Sequence, residues 1–210
     1  MILYAATSNP GKLAEFATSA SVSGSAGGLA IEVLALPNLK QIPEPVEDAP
    51  SFQGNADLKA IAYSLAAPGL LIFADDSGLE VPALHNQPGV RSARFSHDHN
   101  FEPHANLTTD QRNNALLLHL MEHQTSRAAR FVCNLALARN GEVLLRAQGF
   151  IEGQLLHAPR GNDGFGYDPL FLIPSLNLTS AEIPREQKWD LSHRGHAFRE
   201  LLTKLPSVNL

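Results

Sequence analysis

The chain has 210 residues, of which 44% are hydrophobic and 18% charged, so it can bury a sizeable core. Its net charge is −5 without any basic block, which argues against nucleic acid as a main partner, although a small polyanion could bind beside a local group of cations. Cys133 is the only cysteine, which excludes an intrachain disulfide and a cysteine zinc cluster. The short, uncharged start and the lack of a membrane-length apolar run predict a cytoplasmic protein with no membrane partner.

The first predicted elements are a strand from Ile2 to Ala6 and a helix from Leu13 to about Ser19. Between them lies a small polar loop, which consists of Thr7, Ser8, Asn9, Pro10, Gly11 and Lys12. Backbone N–H groups at a helix start favour a phosphate, and Lys12 would add positive charge. The spacing is not that of a P-loop. A plain turn between strand and helix explains the same residues, so both interpretations stay open.

The next segment is predicted to contain a Gly/Ser turn from Ser23 to Gly28 and a strand from Leu29 to Leu36. A proline-rich loop from 37 to 50 follows and carries three acids, Glu44, Glu47 and Asp48. These acids either face solvent or include a metal ligand.

A helix is predicted from Ser51 to Ala66. One face of it is apolar and consists of Phe52, Ala56, Ala60 and Tyr63. Asn55 and Lys59 are four residues apart on a neighbouring face, so both side chains can point at one ligand.

Five apolar residues from Leu70 to Ala74 run directly into two carboxylates, Asp75 and Asp76, and then into Ser77 and Gly78. The run predicts a buried strand that ends in a ligand crevice. Because neighbouring strand residues point to opposite sides, the two acids can share one site only if the strand ends there and the chain bends at Gly78. The pattern fits a Mg²⁺ site with one acid free to act as a base, or an Asp-Ser-Gly turn.

After Gly78 we expect another strand from Leu79 to Leu84, and then a turn and a short extended run from Pro88 to Phe95. Arg91 and Arg94 in that run could pair with the acids or bind phosphate. The spacing of His97, Asp98, His99 and His104 suggests a transition-metal site, but a polar loop explains it as well.

Thr108 and Gln111 predict a capping box that opens a helix extending to about His123. Two strands, Arg130 to Arg139 and Glu142 to Leu156, are joined by Asn140-Gly141, a strong hairpin signal. An antiparallel hairpin beside parallel strands predicts a mixed sheet.

The segment from Pro159 to Pro169 contains three glycines and two aromatic residues, Phe165 and Tyr167. Glycines let the backbone approach a ligand closely, and both rings are better placed to stack on a base than to join a core. A short strand from Leu170 to Ile173 and a polar segment from Thr179 to Asp190 follow.

Ser192 is predicted to cap a last helix, whose core face consists of Phe198, Leu201, Leu202 and Leu205. His193 and Arg194 lie in its first turn, where cations oppose the helix dipole. Helix stability alone does not explain them there.

Taken together, these stretches resemble the inosine triphosphate pyrophosphatase family, which hydrolyses deaminated purine nucleoside triphosphates. The matching stretches appear in the family order along nearly the whole chain: 7–12, Phe52 with Asn55 and Lys59, 74–79, 88–90 with 92–95, 164–169, and Lys188 with 192–195. The resemblance implies an α/β fold with a long mixed β-sheet flanked by helices, and two lobes around a central cleft. Residues 1–210 would form a single domain, usually as a homodimer, and Mg²⁺ would be the cofactor.

The resemblance also implies the residue roles. Asp76 resembles the proton acceptor and a metal ligand, with Asp75 beside it, and Ser77 resembles a substrate contact. The triphosphate clamp would consist of Thr7, Ser8, Asn9, Pro10, Gly11, Lys12 and Lys59. The base pocket would consist of Phe165, Gly166, Tyr167, Asp168, Lys188, His193 and Arg194. The chain is one residue short before Phe52, so the third metal ligand is open among Glu44, Glu47 and Asp48, and we choose Glu47.

Three other functions are compatible with parts of the sequence. An aspartyl-phosphate phosphatase also begins with a strand that ends in Asp, but it requires Asp-x-Asp, which is absent after Ala74. A pyrophosphatase for modified pyrimidine nucleotides would have a similar cleft. A nucleotide-binding regulatory module would need no poised pair of carboxylates.

Overall fold

The computed structural model describes residues 1–23, 30–103 and 106–208. The strands are β1 (Ile2–Ala5), β2 (Glu32–Ala35), β3 (Ile72–Val81), β4 (Gln87–Pro88), β5 (Ala128–Arg139), β6 (Glu142–Leu155), β7 (Phe171–Ile173) and β8 (Leu178–Thr179). The helices are α1 (Pro10–Ser23), α2 (Phe52–Ala66), α3 (Phe95–Asp98), α4 (Thr109–Leu120), α5 (Arg185–Leu191) and α6 (His193–Lys204). Short 3-10 helices span Leu39–Gln41, Pro82–Leu84, Gly89–Arg94 and Leu205–Ser207. Residues 24–28 of the predicted Gly/Ser turn, Leu29 and His104 lie outside the described residues.

The strands form one mixed sheet in the order β2-β1-β3-β5-β6-β7-β8, with β4 paired to β3. Strand β1 is parallel to β2 and β3, whereas the β3–β4, β6–β7 and β7–β8 pairs are antiparallel. The turn between β5 and β6 has positive φ angles at Asn140 (54°) and Gly141 (83°), as a two-residue hairpin turn requires. The mixed sheet and the hairpin are therefore confirmed.

The chain divides into two compact units. The first consists of Met1–Asp76, Cys133–Phe150 and Trp189–Leu210, and the second of Ser77–Val132 and Ile151–Lys188. Strands β3, β5 and β6 contribute residues to both units. The central cleft that the family resemblance implies stays a prediction.

Aromatic side chains form the centre of the first unit. The Phe73 ring lies 5.1 Å from Phe16 and 5.4 Å from Phe198, measured between ring centroids, and Trp189 packs edge-on against Phe198. Ser192 caps α6 by accepting a hydrogen bond from Gly195 N, which aims the apolar face of α6 at this cluster. Phe198, Leu201, Leu202 and Leu205 are all buried, as predicted for the last helix.

The other predicted helices with strong local signals are also confirmed. Ser51 caps α2 through Gly54 N, and all four residues of its predicted apolar face are buried. Three of them, Ala56, Ala60 and Tyr63, pack against β3 and β5. The capping box of Thr108 and Gln111 is present in full at the start of α4. No helix among the described residues is long and apolar enough to cross a membrane.

Strand β3 corrects one expectation about the acid pair. The strand does not end at Asp76 and bend at Gly78; it continues to Val81, and no second strand spans 79–84. Its later residues are paired with β4 by Glu80↔Pro88 and Val81↔Gln87, which keeps the backbone extended. Gly78 instead allows a close approach, because a Cβ atom there would lie 2.7 Å from Gly89 O.

Two further expectations are wrong at the level of local structure. Helix α1 begins at Pro10 instead of Leu13, since proline is well suited to the first helical position. The run after Pro88 is helical, not extended. The polar segment before Ser192, for which no element was predicted, contains α5.

Candidate active site

Helix α2 presents two polar side chains to Asp76 in the first unit. Asn55 Nδ2 donates a 3.0 Å hydrogen bond to Asp76 Oδ2, and Lys59 Nζ lies 3.7 Å from Asp76 Oδ1. Asn55 and Lys59 are four residues apart on the helix, which places both on one face. The prediction that these two side chains point together is confirmed.

Glu47 completes this group from the proline-rich loop. Its Oε2 atom lies 2.7 Å from Lys59 Nζ, and the backbone N–H of Ala49 donates to Asn55 Oδ1 at 3.0 Å, which fixes the loop to α2. Of the three acids that sequence left open, Glu44 and Asp48 are exposed, whereas Glu47 is partly buried beside Asp76's partner Lys59. Glu47 as the metal ligand stays a prediction, and it is the only one of the three that is partly buried.

The donor set suits a hard cation. Carboxylate oxygens of Glu47 and Asp76 converge on the Lys59 ammonium, and Mg²⁺ is commonly held by one or two carboxylates together with substrate phosphates. No group of three His, Cys, Asp or Glu side chains in residues 1–23, 30–103 and 106–208 is close enough to hold an ion unaided. The metal trio of Asp76, Glu47 and Asp75 therefore stays a prediction.

Asp75 has different partners from Asp76, as adjacent residues of a continuous strand should. Lys12 Nζ contacts Asp75 Oδ2 at 2.7 Å, and Arg194 Nε lies 3.9 Å from the same oxygen. Arg194 Nη1 also lies 3.2 Å from Glu15 Oε2. These two carboxylates explain a buried cation in the first turn of α6, where the helix dipole disfavours it.

The two neighbouring acids consequently differ in acidity. Burial alone would raise the pKa of Asp75, but Lys12, Arg194 and Lys59 together outweigh burial and lower it to about 2. For Asp76, burial raises the pKa, Lys59 and Asn55 oppose that change, and the result stays above the usual value. Asp76 is thus the better proton acceptor, since its conjugate acid is the weaker one.

Lys59 is the cation shared by these acids. Burial would lower its pKa, but Asp75, Asp76 and Glu47 outweigh burial and raise it, so the ammonium stays charged. A partly buried, charged ammonium that contacts carboxylates can exchange them for the oxygens of an incoming phosphate.

The loop from Thr7 to Lys12 is organised by its own side chains. Asn9 Oδ1 accepts hydrogen bonds from the backbone N–H groups of Gly11 (2.9 Å) and Lys12 (3.2 Å), which caps α1. Thr7 Oγ1 accepts from Asn9 N at 3.2 Å. Lys12 therefore lies in the first turn of α1, and its ammonium contacts the Asp75 carboxylate.

The second unit contains the glycine loop of residues 161–168. Asp168 Oδ2 accepts from the backbone N–H of Phe165 at 2.9 Å and from Lys188 Nζ at 2.6 Å, and Lys188 Nζ also lies 5.9 Å from the Phe165 ring centroid. Gly164 has φ +84°, and a Cβ atom there would lie 3.0 Å from Lys188 Nζ. Glycine at this position therefore admits both the turn and the ammonium.

Tyr167 departs from the expectation that both aromatics of this loop avoid the core. Its side chain is buried, and its hydroxyl donates a 2.8 Å hydrogen bond to Ser92 O. A long side chain that follows a positive-φ glycine can turn back into the protein, which glycine spacing alone does not indicate. Phe165 is only partly buried.

The remaining candidates are distributed as follows. Ser77 is partly buried on β3 in the second unit, whereas His193 is buried at the start of α6 in the first unit. Arg91 and Arg94 lie beside Asp98, at 2.6 Å and 3.7 Å. His99 Nδ1 lies 2.9 Å from Phe95 O and its ring packs on Phe95.

Three residues that contact the candidate site are absent from the sequence-based predictions: Glu15, Asp110 and Asn114. Glu15 contacts Arg194, which is 179 positions away, so no local signal could reveal it. Asp110 in the first turn of a capped helix is what the helix dipole alone would favour. Asn114 has a low helix propensity yet lies inside a predicted helix, which is the one signal that the sequence offers.

Comparison with known proteins places this fold and these residues in a family. A model of the Ham1 family matches residues 3–204. A dITP/XTP pyrophosphatase of Acidobacterium capsulatum is 49% identical over 206 residues, which cover 98% of each chain. A dITP/XTP pyrophosphatase of an Exiguobacterium species is 44% identical over 96% of this chain and 95% of that relative.

Two solved structures of Ham1 proteins have a fold similar to that of this chain. A HAM1 protein from Coxiella burnetii has a TM-score of 0.81 at 33% identity and covers 99% of this chain and 100% of its own. The Staphylococcus aureus Ham1 protein has a TM-score of 0.79 at 31% identity, with 99% of both chains covered. The chain belongs to the Ham1 family, which confirms the resemblance and the mixed α/β fold inferred from its sequence.

Proposed function

We propose that this chain is a hydrolase that converts non-standard purine nucleoside triphosphates, namely XTP, ITP and dITP, to the monophosphate and pyrophosphate. The observation that carries the proposal is the buried carboxylate of Asp76, held by Asn55 and Lys59 beside Glu47. The names of the relatives, dITP/XTP pyrophosphatase, support the same reaction and purine class.

The reaction breaks the anhydride bond between the α- and β-phosphorus atoms, and one water molecule supplies the new P–O bond. Asp76 accepts the proton of that water, because its raised pKa makes it the stronger base of the acid pair. Asn55 orients the carboxylate by donating to Oδ2, which leaves Oδ1 to receive the proton. The bridging oxygen leaves with the pyrophosphate and takes the electron pair of the broken bond.

Mg²⁺ is the proposed cofactor. Glu47 and Asp76 would hold it, and when bound it supplies charge neutralisation and a fixed orientation for the triphosphate. Asp75 is the proposed third ligand, and from its place on β3 it also holds Lys12 and Arg194. Its low pKa keeps it ionised at all working pH values, so this anchor does not titrate with the catalytic acid.

The triphosphate clamp consists of Lys12, Lys59 and the loop that begins at Thr7. In a chain of net charge −5, cations next to the reaction centre must compensate the substrate charge. Both ammonium groups lie on carboxylates in the structure, and both can exchange those partners for phosphate oxygens when the substrate arrives.

The base pocket is proposed to consist of the residues that the family resemblance implies, namely Phe165, Gly166, Tyr167, Asp168, Lys188, His193 and Arg194. Phe165 would stack on the base, as aromatic side chains commonly do with nucleobases. Donors aimed at the C6 oxygen of hypoxanthine or xanthine would meet an amino group on adenine and lose their hydrogen bonds. Ser77 is the remaining proposed substrate contact.

A panel of triphosphates tests the function. Purified protein is incubated with Mg²⁺ and each of XTP, ITP, dITP, GTP, ATP and dUTP, and both pyrophosphate and phosphate are measured. Pyrophosphate release that is fastest for XTP, ITP and dITP supports the proposal. Preference for the pyrimidine indicates the alternative pyrophosphatase, phosphate release indicates a phosphatase, and binding without turnover indicates a regulatory module.

The proposal includes a homodimer in the cytoplasm, for which the family resemblance is the support. Sedimentation velocity at several protein concentrations tests the dimer, and cell fractionation tests the location.

A further inference from the structure

Helix α4 contacts the glycine loop through two side chains, Asp110 and Asn114. Asp110 Oδ2 accepts a hydrogen bond of 2.7 Å from the backbone N–H of Gly166, and Asn114 Nδ2 donates one of 2.9 Å to Gly166 O. The two residues are four apart, so both lie on the same face of α4. The helix thus binds both backbone polar groups of a single loop residue.

Gly166 is the residue directly after Phe165, and its own conformation leaves the loop dependent on such contacts. Its φ angle is +61°, and among the described residues no heavy atom beyond its chain neighbours lies within 4 Å of the position that a Cβ would occupy. Packing of a side chain therefore does not hold this residue in place. Hydrogen bonds to α4 do, together with the bond from Phe165 N to Asp168 on the other side.

The hydrogen bonds of the Asn114 side chain indicate that its amide stabilises the glycine loop. The residue is only 8% exposed, and within the described part of the chain Asn114 Oδ1 has no hydrogen-bond partner. Burying half of an amide unsatisfied is unfavourable, and an apolar residue would avoid that penalty. The bond to Gly166 O is the gain that the amide provides.

Helix α4 is itself held firmly, so it can act as a fixed support. The capping box at Thr108 fixes the first turn of α4, which contains Asp110. Asn113 accepts from Ser96 N at 2.8 Å and donates to Ser92 O at 3.2 Å. Tyr167 donates to that same Ser92 oxygen, which links the loop and the helix to one point.

We propose that Asp110 and Asn114 are positioning residues that hold the Gly166 peptide and thereby orient the Phe165 ring for stacking on the purine base of the substrate. The inference rests on the proposed function, since it concerns how the base is bound. It predicts an effect on affinity for the base and none on the chemistry at the phosphates.

Kinetics of ITP hydrolysis in Asp110→Ala and Asn114→Ala test the proposal. Loss of a stacking contact lowers affinity by about fivefold to a hundredfold, so loss of its orientation should raise KM for ITP by about threefold to tenfold. The kcat should stay within about twofold of the parent value, because the phosphates still reach Asp76. Asp110→Asn retains an oxygen that accepts from Gly166 N and should restore the parent KM.

A substrate fragment without a base separates positioning from general damage. Inorganic tripolyphosphate is used as a competitive inhibitor, and its inhibition constant should be the same in the parent and in the variants. His119→Ala is the matched control, because it changes an exposed side chain in the last turn of the same helix and leaves the capping box intact. It should leave KM for ITP unchanged.

A double-substitution cycle with Phe165→Ala tests the route of the effect. If Asn114 acts through the Phe165 ring, Asn114→Ala adds no further rise in KM once the ring is gone. The proposal is overturned if the two rises in KM multiply in the double variant. It is also overturned if KM for ITP and the inhibition constant of tripolyphosphate change by the same factor. The Asp110 bond is solvent-exposed, so that variant folds and stays informative if the Asn114 variant does not. A parent protein that hydrolyses no purine triphosphate overturns the function itself, whereas an active parent with unaffected variants overturns this inference alone.

Discussion

Replacing Asp75 by asparagine should destabilise the protein in a pH-dependent way. The side chain is buried, and its pKa is lowered to about 2 although burial acts in the opposite direction, because Lys12, Arg194 and Lys59 favour the charged form. A shift of roughly two units corresponds to about 2.5 kcal/mol of unfolding free energy at neutral pH. We expect Asp75→Asn to lose about that amount at pH 7.

The sign follows from the direction of the shift. A carboxyl whose pKa is lower in the folded state adds stability above its unfolded pKa of about 3.9 and loses that contribution as pH falls through the folded value. The difference between parent and Asp75→Asn should therefore be constant from pH 7 to 5, fall by about half near pH 3 and vanish only below pH 2. Urea unfolding at pH 7, 5, 4 and 3 in EDTA, so that no metal contributes, measures this difference.

Asp76→Asn is the matched control, since it is the same change at the next residue. The pKa of Asp76 is raised, chiefly by burial, so its charge lowers stability at neutral pH and the variant should unfold at an equal or higher free energy. Asp57→Asn, in an ion pair with the exposed Arg146, should lose less than about 1 kcal/mol. If Asp75→Asn and Asp76→Asn change stability alike, or if the Asp75 effect is independent of pH down to 3, the assigned electrostatics are wrong.

Three further predictions concern the substrate. Lys12→Ala should raise KM for ITP by about tenfold or more, because charge-assisted hydrogen bonds contribute about 1.5–3 kcal/mol. The variant's KM should depend less on salt than the parent's, because one fewer ion pair forms, and a KM equal to that of the parent across a salt series would remove Lys12 from the clamp. Glu47→Gln should raise the Mg²⁺ concentration needed for half-maximal rate, measured by titrating Mg²⁺ at saturating ITP, and an identical titration curve would exclude Glu47 as a ligand. Arg194→Ala should lower kcat/KM for ITP and XTP far more than for ATP, whereas Phe165→Ala should lower all purines together. A common factor for all substrates in Arg194→Ala would place that residue outside the base pocket.

The sequence predicts those parts of the fold that are determined locally. Thr108 with Gln111, Asn140 with Gly141, and Ser192 each fix a helix start or a turn through neighbouring atoms, and all three are confirmed. Strong apolar periodicity likewise predicted α2 and α6. In these elements the sequence signal and the stabilising contacts lie within a few residues of each other.

The errors arise where distant contacts decide the structure. Two adjacent aspartates suggest the end of a strand, but Lys12 and Asn55 compensate their charge from 63 and 21 positions away, so β3 continues. Burial of Tyr167 depends on Ser92 O, which is 75 positions away. Periodicity and turn chemistry contain no information about such partners.

The candidate site was predicted only in part, because some of its contacts also join residues that are far apart in the sequence. The family resemblance selected Asp76, Lys59 and Lys12, and α2 brings Asn55 and Lys59 together as their spacing indicates. The different roles of Asp75 and Asp76 could not be read from two identical letters. They follow from which side of β3 each side chain lies on and from the cations found there.

The central claim is that Asp76 is the proton acceptor for hydrolysis, and kcat for XTP in Asp76→Asn tests it most directly. The substitution preserves the shape of the side chain and removes its basicity, so kcat at saturating Mg²⁺ and XTP should fall roughly 10²-fold or more. The free energy of unfolding should not fall, which separates lost chemistry from lost structure. A kcat close to that of the parent, in a protein that is fully folded and saturated with Mg²⁺, would contradict the claim.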